Sequence, residues 1–201
     1  MITSKQFFVS AIGTDSGKTL ISAILARHLN ADYWKPIQAG DPRDSEEVAR
    51  LTGNTLTIHP ERYHLKLPAS PHLAAKEEGI TISLNDFELP STGNLIVEGA
   101  GGLMVPLNDD DLVIDLPLKW NMPIILVCNI YLGSINHSLL SIEYLKNRNA
   151  NVAGIIFNGP ETRSTESIIE QKCPWPVLLR VRKIDNLSGQ SIEHYASQVK
   201  F

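Results

Sequence analysis

Cysteine is scarce in this 201-residue chain, with two in all. Cys128 and Cys173 form no CxxC pair and have no histidine pair nearby. Neither a disulfide framework nor a zinc site is expected, and a reduced compartment is implied. Long apolar runs are missing as well. The longest, Met122 to Cys128, falls far short of the roughly 20 residues a membrane helix needs. The opening MITSKQFF has no signal-peptide core, so a cytoplasmic location is expected. There is no basic excess: 18 Lys and Arg stand against 22 Asp and Glu, a formal net charge of −4. That balance gives no electrostatic reason to expect nucleic acid or an acidic membrane as a partner. Repeats, low-complexity tracts and Pro/Gly/Ser-rich linkers are also lacking, so residues 1–201 are expected to form one domain.

What is present is ordinary for a soluble globular chain: 43% hydrophobic and 20% charged residues, in a length that can bury a sizeable core. Apolar, β-prone segments alternate with helical patterns. Strands are expected at Gln6–Ile12, Asp32–Trp34, Asn94–Val97, Pro123–Asn129, Val152–Phe157 and Val177–Val181. Helices are expected at Lys18–Leu29, Ser45–Leu51, Ser70–Glu78, Leu112–Trp120, Ile135–Arg148, Thr165–Lys172 and Ile192–Val199. Asn54–Leu67 and Asp185–Gln190 show no period and are read as loops. The alternation predicts an α/β fold, a mostly parallel sheet with helices on both faces.

The first strand runs through Ile12-Gly13-Thr14-Asp15-Ser16-Gly17-Lys18-Thr19 into an amphipathic helix. Such a turn aims free backbone N–H groups and the positive helix end at one point, which suits a phosphate. Gly13 and Gly17 permit close approach, Lys18 reaches outer phosphates, and the Thr19 hydroxyl suits Mg²⁺. The spacing departs from the usual Gly-x₄-Gly-Lys-Ser/Thr, which would place the first glycine where Ile12 stands. Several later strands also end in polar or glycine-rich sequence: Lys35-Pro36-Ile37-Gln38-Ala39-Gly40, Glu98-Gly99-Ala100-Gly101-Gly102, Leu132-Gly133-Ser134-Ile135-Asn136-His137 and Asn158-Gly159. In a parallel sheet these ends meet at one edge, where ligands bind. Glu98, closing an apolar strand, stands where the acidic metal group of a nucleotide-hydrolysing sheet is expected.

Taken together, the loop, KPIQAG, VEGAGGLMVPL, LGSINH and the late FNG resemble the dethiobiotin synthetase family, from Phe8 to about Lys183. The resemblance implies a single P-loop domain catalysing an ATP- and Mg²⁺-dependent ligation. In that reaction 7,8-diaminononanoate and CO₂ form a cyclic urea through a carbamate and a carbamic–phosphoric anhydride. It also implies a homodimer with shared active sites. The family's loop carries its first glycine one position earlier, where this chain has Ala11.

The resemblance assigns nucleotide contacts to Gly13, Thr14, Asp15, Ser16, Gly17, Lys18, Thr19, Leu20, Asp44, Glu98, Gly99, Ala100, Gly101, Asn158 and Gly159. The metal would be held by Thr19, Asp44 and Glu98. The substrate would be held by Thr14, Lys35, Ala39, Ser134, Ile135 and Asn136, the last three supplied by the neighbouring subunit. Lys35, with Lys18, would stabilise charge on the carbamate and the transferring phosphoryl group, and Asn158 would read adenine. Plainer roles stand beside these: a helix cap for Asp44 and for Ser134, an ion pair with a lysine or arginine for Glu98, a turn for Asn158-Gly159. Relatives have Ser or Thr where Ala39 stands, so only its backbone can serve the substrate. His72, His137 and Asp109–Asp111 are read as structural. Two alternatives remain. One is an ATP switch akin to the partitioning ATPases, although those carry an extra loop lysine that Ala11 to Ser16 lack. The other is an amidoligase acting on a larger cofactor acid, although no glutaminase extension is seen.

Overall fold

Phe8, Val9 and Ala11 of β1 (Gln6–Ala11) are fully buried, because this strand is covered on both faces and apolar side chains are favoured on each. The computed structural model describes residues 5–184 and 186–201. It places β1 at the centre of a seven-stranded sheet in the order β4 (Ile58–His59), β2 (Asp32–Trp34), β6 (Leu95–Glu98), β1, β7 (Ile124–Asn129), β8 (Val152–Asn158) and β9 (Val177–Val181). Every pairing in it is parallel. A separate parallel pair joins β3 (Ile37–Ala39) to β5 (Tyr63–Leu65).

Alternate strand residues point to opposite faces, and two apolar clusters follow. On one face α1 (Lys18–Leu29), α2 (Asp44–Leu51) and α7 (Gly189–Ala196) bring Ile21, Ile24, Val48, Leu51 and Ile192 against Val9, Tyr33, Ile96 and Val127. On the other, α3 (Pro71–Glu77), α4 (Asp115–Lys119), α5 (Ser134–Asn147) and α6 (Arg163–Lys172) bring Ala74, Leu116, Ile142, Leu145 and Ile169 against Phe8, Val97, Leu126 and Phe157. The chain leaves β1 through α1 to β2, returns as β6 beside β1, then crosses to β7 on the far side. β1 therefore marks the reversal of winding, and the crevice beyond its carboxyl end is where such sheets bind ligands.

Three expectations need correction. The stretch Asn54–Leu67 is not all loop: it contains β4 and β5, which pair with β2 and β3. Neither is long enough to show a period, and β3 was not legible for the same reason; only neighbours elsewhere in the chain define them. The helix expected at Leu112–Trp120 starts at Asp115, because Leu112 bridges Pro106 and its N–H is taken by Asp115 Oδ2 at 2.8 Å. The last helix is Gly189–Ala196 rather than Ile192–Val199, so Gly189 and Gln190 are helical. Ser188 caps it by accepting from Ser191 N while its own N–H bonds Ser191 Oγ. Asp185, where a loop was expected to start, lies outside the described residues. Among the described residues no helix is long and apolar enough to cross a membrane. Both cysteines are free.

Candidate active site

The turn from β1 into α1 is held from three sides. Ser16 Oγ donates to Asn129 Oδ1 at 2.8 Å, at the end of β7. Asn158 Nδ2, at the end of β8, donates to Ser16 O at 2.9 Å. Ser16 Oγ also lies 3.0 Å from Gly13 O, closing the loop on itself. Gly17 has φ 84°, a region that favours glycine, and a Cβ there would sit 2.2 Å from Asn158 Nδ2 and displace that amide from Ser16 O. Asp15 takes φ 56°, a region that aspartate tolerates better than most residues. Ala11 has no positive φ. The alanine at this position therefore meets no backbone demand that only glycine could satisfy.

Lys18, at the first turn of α1, is buried, and its Nζ lies 3.4 Å from Gly13 O. Burial lowers the pKa of this ammonium; Glu98 pulls it upward, while Lys35 adds to the lowering. A cation in this position is stabilised by an anion delivered to the loop.

Beyond the loop, four polar side chains converge, from α1, α2, β6 and the link that follows β2. Thr19 Oγ1 lies 2.8 Å from Asp44 Oδ1 and 3.2 Å from Glu98 Oε1. Lys35 Nζ donates to Glu98 Oε1 at 3.0 Å and is also ion-paired with Asp44 Oδ2. Burial alone pushes the Lys35 pKa down, but Glu98 and Asp44 together outweigh it and the net shift is upward. For Asp44, burial pushes up and Lys35 pulls down, and the net shift is downward. Both directions keep the pair ionised. The ion pair weighed for Glu98 is thus real, with Lys35 as partner. The cap weighed for Asp44 is not made: it is the first residue of α2, and Arg43 precedes it as N-cap.

Two further side chains hold this cluster, and the sequence reading missed both. Tyr33 is fully buried and donates its hydroxyl to Glu98 Oε2 at 2.9 Å. Gln38 wraps the turn before α2: its Nε2 donates to Gly40 O at 3.0 Å and its Oε1 accepts from Asp44 N at 3.2 Å. Gln38 stood within the quoted stretch Lys35–Gly40 but was given no role, and Tyr33 was counted only in its strand. Asn129 was counted in its strand but given no role.

The cavity at this edge measures about 840 Å³. Thr14 to Thr19, Lys35, Gln38, Asp44, Glu98, Ala100 and Gly101 line it, and an apolar wall of Ile37, Ala39, Pro68, Ala69, Pro71 and Val105 continues it. Gly101, with φ 65°, lines the cavity, whereas Gly99 faces the core, where a Cβ would meet the Phe8 ring at 2.9 Å. Gly13, Leu20, Gly99, Asn158 and Gly159 are not among the lining residues. Asn158 instead braces the loop from behind, and Gly159, with φ 126°, closes on Ile130. Ser134, Ile135 and Asn136 are also absent from this chain's cavity wall. They open α5 after Gly133, with Ser134 buried and Ile135 and Asn136 exposed. Ser134 Oγ accepts from Tyr131 N at 3.3 Å. Leu132 and Leu140 stand exposed beside them.

Among the described residues no three Asp, Glu, His or Cys side chains converge as a metal cage. One hydroxyl and two carboxylates are what Thr19, Asp44 and Glu98 offer. These hard oxygen donors fit Mg²⁺, which is usually held by one or two carboxylates with phosphates and water.

Comparison with known proteins bears on this site. A family model described as an AAA domain matches residues 5–191. The chain is 50% identical to the ATP-dependent dethiobiotin synthetase BioD of Cytophaga hutchinsonii, over 96% of this chain and 95% of that protein. It is 51% identical to the enzyme of the same name from Afipia carboxidovorans, over 83% and 81%. For the one from Christiangramia forsetii, identity is 43% over 98% and 96%. Among solved structures, the septum site-determining protein MinD of Pyrococcus horikoshii is similar with TM-score 0.61 at 11% identity, covering 96% of this chain and 94% of that one. A ParA family ATPase of Chlorobium tepidum is similar with TM-score 0.58 at 15% identity, covering 98% and 96%. Those two likenesses establish the shared P-loop α/β fold. The half-identical relatives, matched along almost their whole length, establish more: the chain belongs to the ATP-dependent dethiobiotin synthetase family and is an enzyme.

Proposed function

We propose that this enzyme is a cytoplasmic ATP- and Mg²⁺-dependent ligase that closes a cyclic urea on 7,8-diaminononanoate with CO₂, in biotin biosynthesis. One observation carries the reading. The phosphate loop and the buried Lys35 open into the same cavity as an apolar wall running from Ile37 to Val105. A site that only hydrolysed a nucleotide has no need of that wall, whereas an aliphatic second reactant does.

In this reading one amine of the diamine captures CO₂ and loses a proton, giving a carbamate. A carbamate oxygen attacks the γ-phosphorus of ATP, and the bond to the departing ADP breaks. The second amine then attacks the carbonyl carbon of the mixed anhydride and loses a proton to solvent or to the departing phosphate, and phosphate leaves with the electrons of the C–O bond. The backbone N–H groups from Gly13 to Thr19 cradle the phosphates. Lys18 and Lys35 face the charge that develops on the transferring group. Thr14 and the Ala39 backbone border the diamine. The protein contributes position and charge and forms no covalent bond. Bound at Thr19, Asp44 and Glu98, Mg²⁺ would supply charge neutralisation at the phosphate oxygens.

The working unit in this reading is a homodimer, with Ser134, Ile135 and Asn136 of one subunit meeting the substrate carboxylate in the other. The positive end of the α5 dipole, at Ser134, suits an anion. The exposed Leu132, Ile135 and Leu140 around it support burial against a partner.

Glu98→Gln tests the metal assignment while keeping the shape of the strand end. The Mg²⁺ concentration for half-maximal activity should rise about tenfold or more, by analogy with other losses at metal sites. Should the variant titrate with Mg²⁺ like the parent, Glu98 serves only as the partner of Lys35.

A further inference from the structure

We infer that Tyr33 is a positioning residue for Glu98: its buried hydroxyl occupies one carboxylate oxygen so that the other is presented to Thr19 and Lys35. The inference rests on the metal and phosphate reading of the cluster given above.

The placement follows from strand register. Tyr33 pairs with Ile96 across the β2–β6 ladder, and Glu98 lies two residues beyond Ile96, hence on the same face. That offset is about two strand rises, roughly 6–7 Å, a span that a tyrosine side chain lying along the strand can cover. The ring is embedded beneath α1 and α2, in the cluster with Ile21, Ile24, Val48 and Ile96. Its body is fixed by apolar packing, and its hydroxyl reaches Glu98, which lines the cavity.

The two oxygens of Glu98 therefore have different tasks. Oε2 accepts from Tyr33 at 2.9 Å. Oε1 accepts from Lys35 at 3.0 Å and from Thr19 at 3.2 Å. Glu98 is 1% exposed, so water cannot replace a lost donor. Without the hydroxyl, Oε2 would be a buried charged acceptor with no partner, and the carboxylate would rotate to share Lys35 or Thr19 between its oxygens. Oε1 would then no longer be held in one place. Phenylalanine would fill the same core volume, so packing by itself gives no reason for the hydroxyl.

The test compares the parent, Tyr33→Phe, Glu98→Gln and the double variant by Mn²⁺ titration in the presence of ADP. Loss of the free-ion electron paramagnetic resonance signal reports binding without turnover. Tyr33→Phe should weaken Mn²⁺ binding about tenfold, the scale of one hydrogen bond to a charged group. Glu98→Gln should weaken it at least as much. The double variant should bind no worse than Glu98→Gln alone, because Tyr33 acts through that carboxylate. Circular dichroism should show all four folded, the double variant included, since there the unpaired buried charge is gone. Parental binding by Tyr33→Phe alongside weakened Glu98→Gln would overturn the inference and leave the metal reading intact, and so would additive losses. Parental binding by Glu98→Gln would remove the metal reading, and this inference with it.

Discussion

Lys18→Ala is expected to lower turnover by about a hundredfold or more, because a fixed positive charge at the reacting phosphate is lost. The fold should survive. Lys18 is buried, but it lies in the cavity wall rather than in either apolar cluster. Burial depresses its pKa, so the ammonium is held at some cost in the folded chain, and alanine relieves that cost. The variant should melt no lower than the parent in a thermal scan and should show weakened ATP binding by calorimetry. A folded variant with near-parental turnover would remove the phosphate-loop assignment.

Mixing Lys35→Ala chains with Asn136→Ala chains is expected to restore activity that neither has alone. The geometry within one chain motivates this. Lys35 lies in the cavity wall, whereas Asn136 stands exposed at the start of α5 and is absent from that wall. In the proposed dimer a twofold axis would generate two equivalent sites, each drawing Lys35 from one chain and Asn136 from the other. After random exchange about half the dimers are mixed, and each of those holds one intact site and one doubly damaged site. Recovery near a quarter of parental activity is the scale this symmetry sets. Exchange has to be verified, for instance by native mass spectrometry of differently tagged chains. Absence of recovery after verified exchange would place both residues in one chain's site.

Legibility in the sequence followed the size of the signal. The five longer strands, β1, β6, β7, β8 and β9, were readable because each is rich in apolar residues, β1 into α1 was readable from its loop chemistry, and β2 was expected although no longer than β3. The pair β3 and β5 was not, since three residues carry no period and their stability comes from a partner about 26 positions away in the register Ile37 to Tyr63. At the site, the residue types of Lys18, Thr19 and Glu98 announced themselves through position at strand and helix ends. Lys35 and Asp44 needed the family resemblance to stand out, because a lysine before proline and an acid before a helix have plain explanations. The contacts of Lys35 with Glu98 and Asp44 emerge only when β2, β6 and α2 are brought together. Tyr33 and Gln38 were invisible for a different reason: a buried polar group in a short strand is chemically silent until its acceptor is known. Asn158 shows the converse. The resemblance names it an adenine contact, and the structure adds a brace on Ser16 that no sequence pattern announces.

The fold alone does not choose between a ligase and an ATP switch, since partitioning-type ATPases share it at 11–15% identity. The difference lies in what the cavity beside the loop admits. The most direct test is therefore phosphate release from ATP by the purified protein, with and without 7,8-diaminononanoate plus bicarbonate, with the organic product identified by mass spectrometry. Phosphate release that depends on both additions, matched one-to-one by dethiobiotin, is the predicted result. Phosphate release at the same rate with ATP alone, and no cyclic urea formed, would contradict the ligase reading.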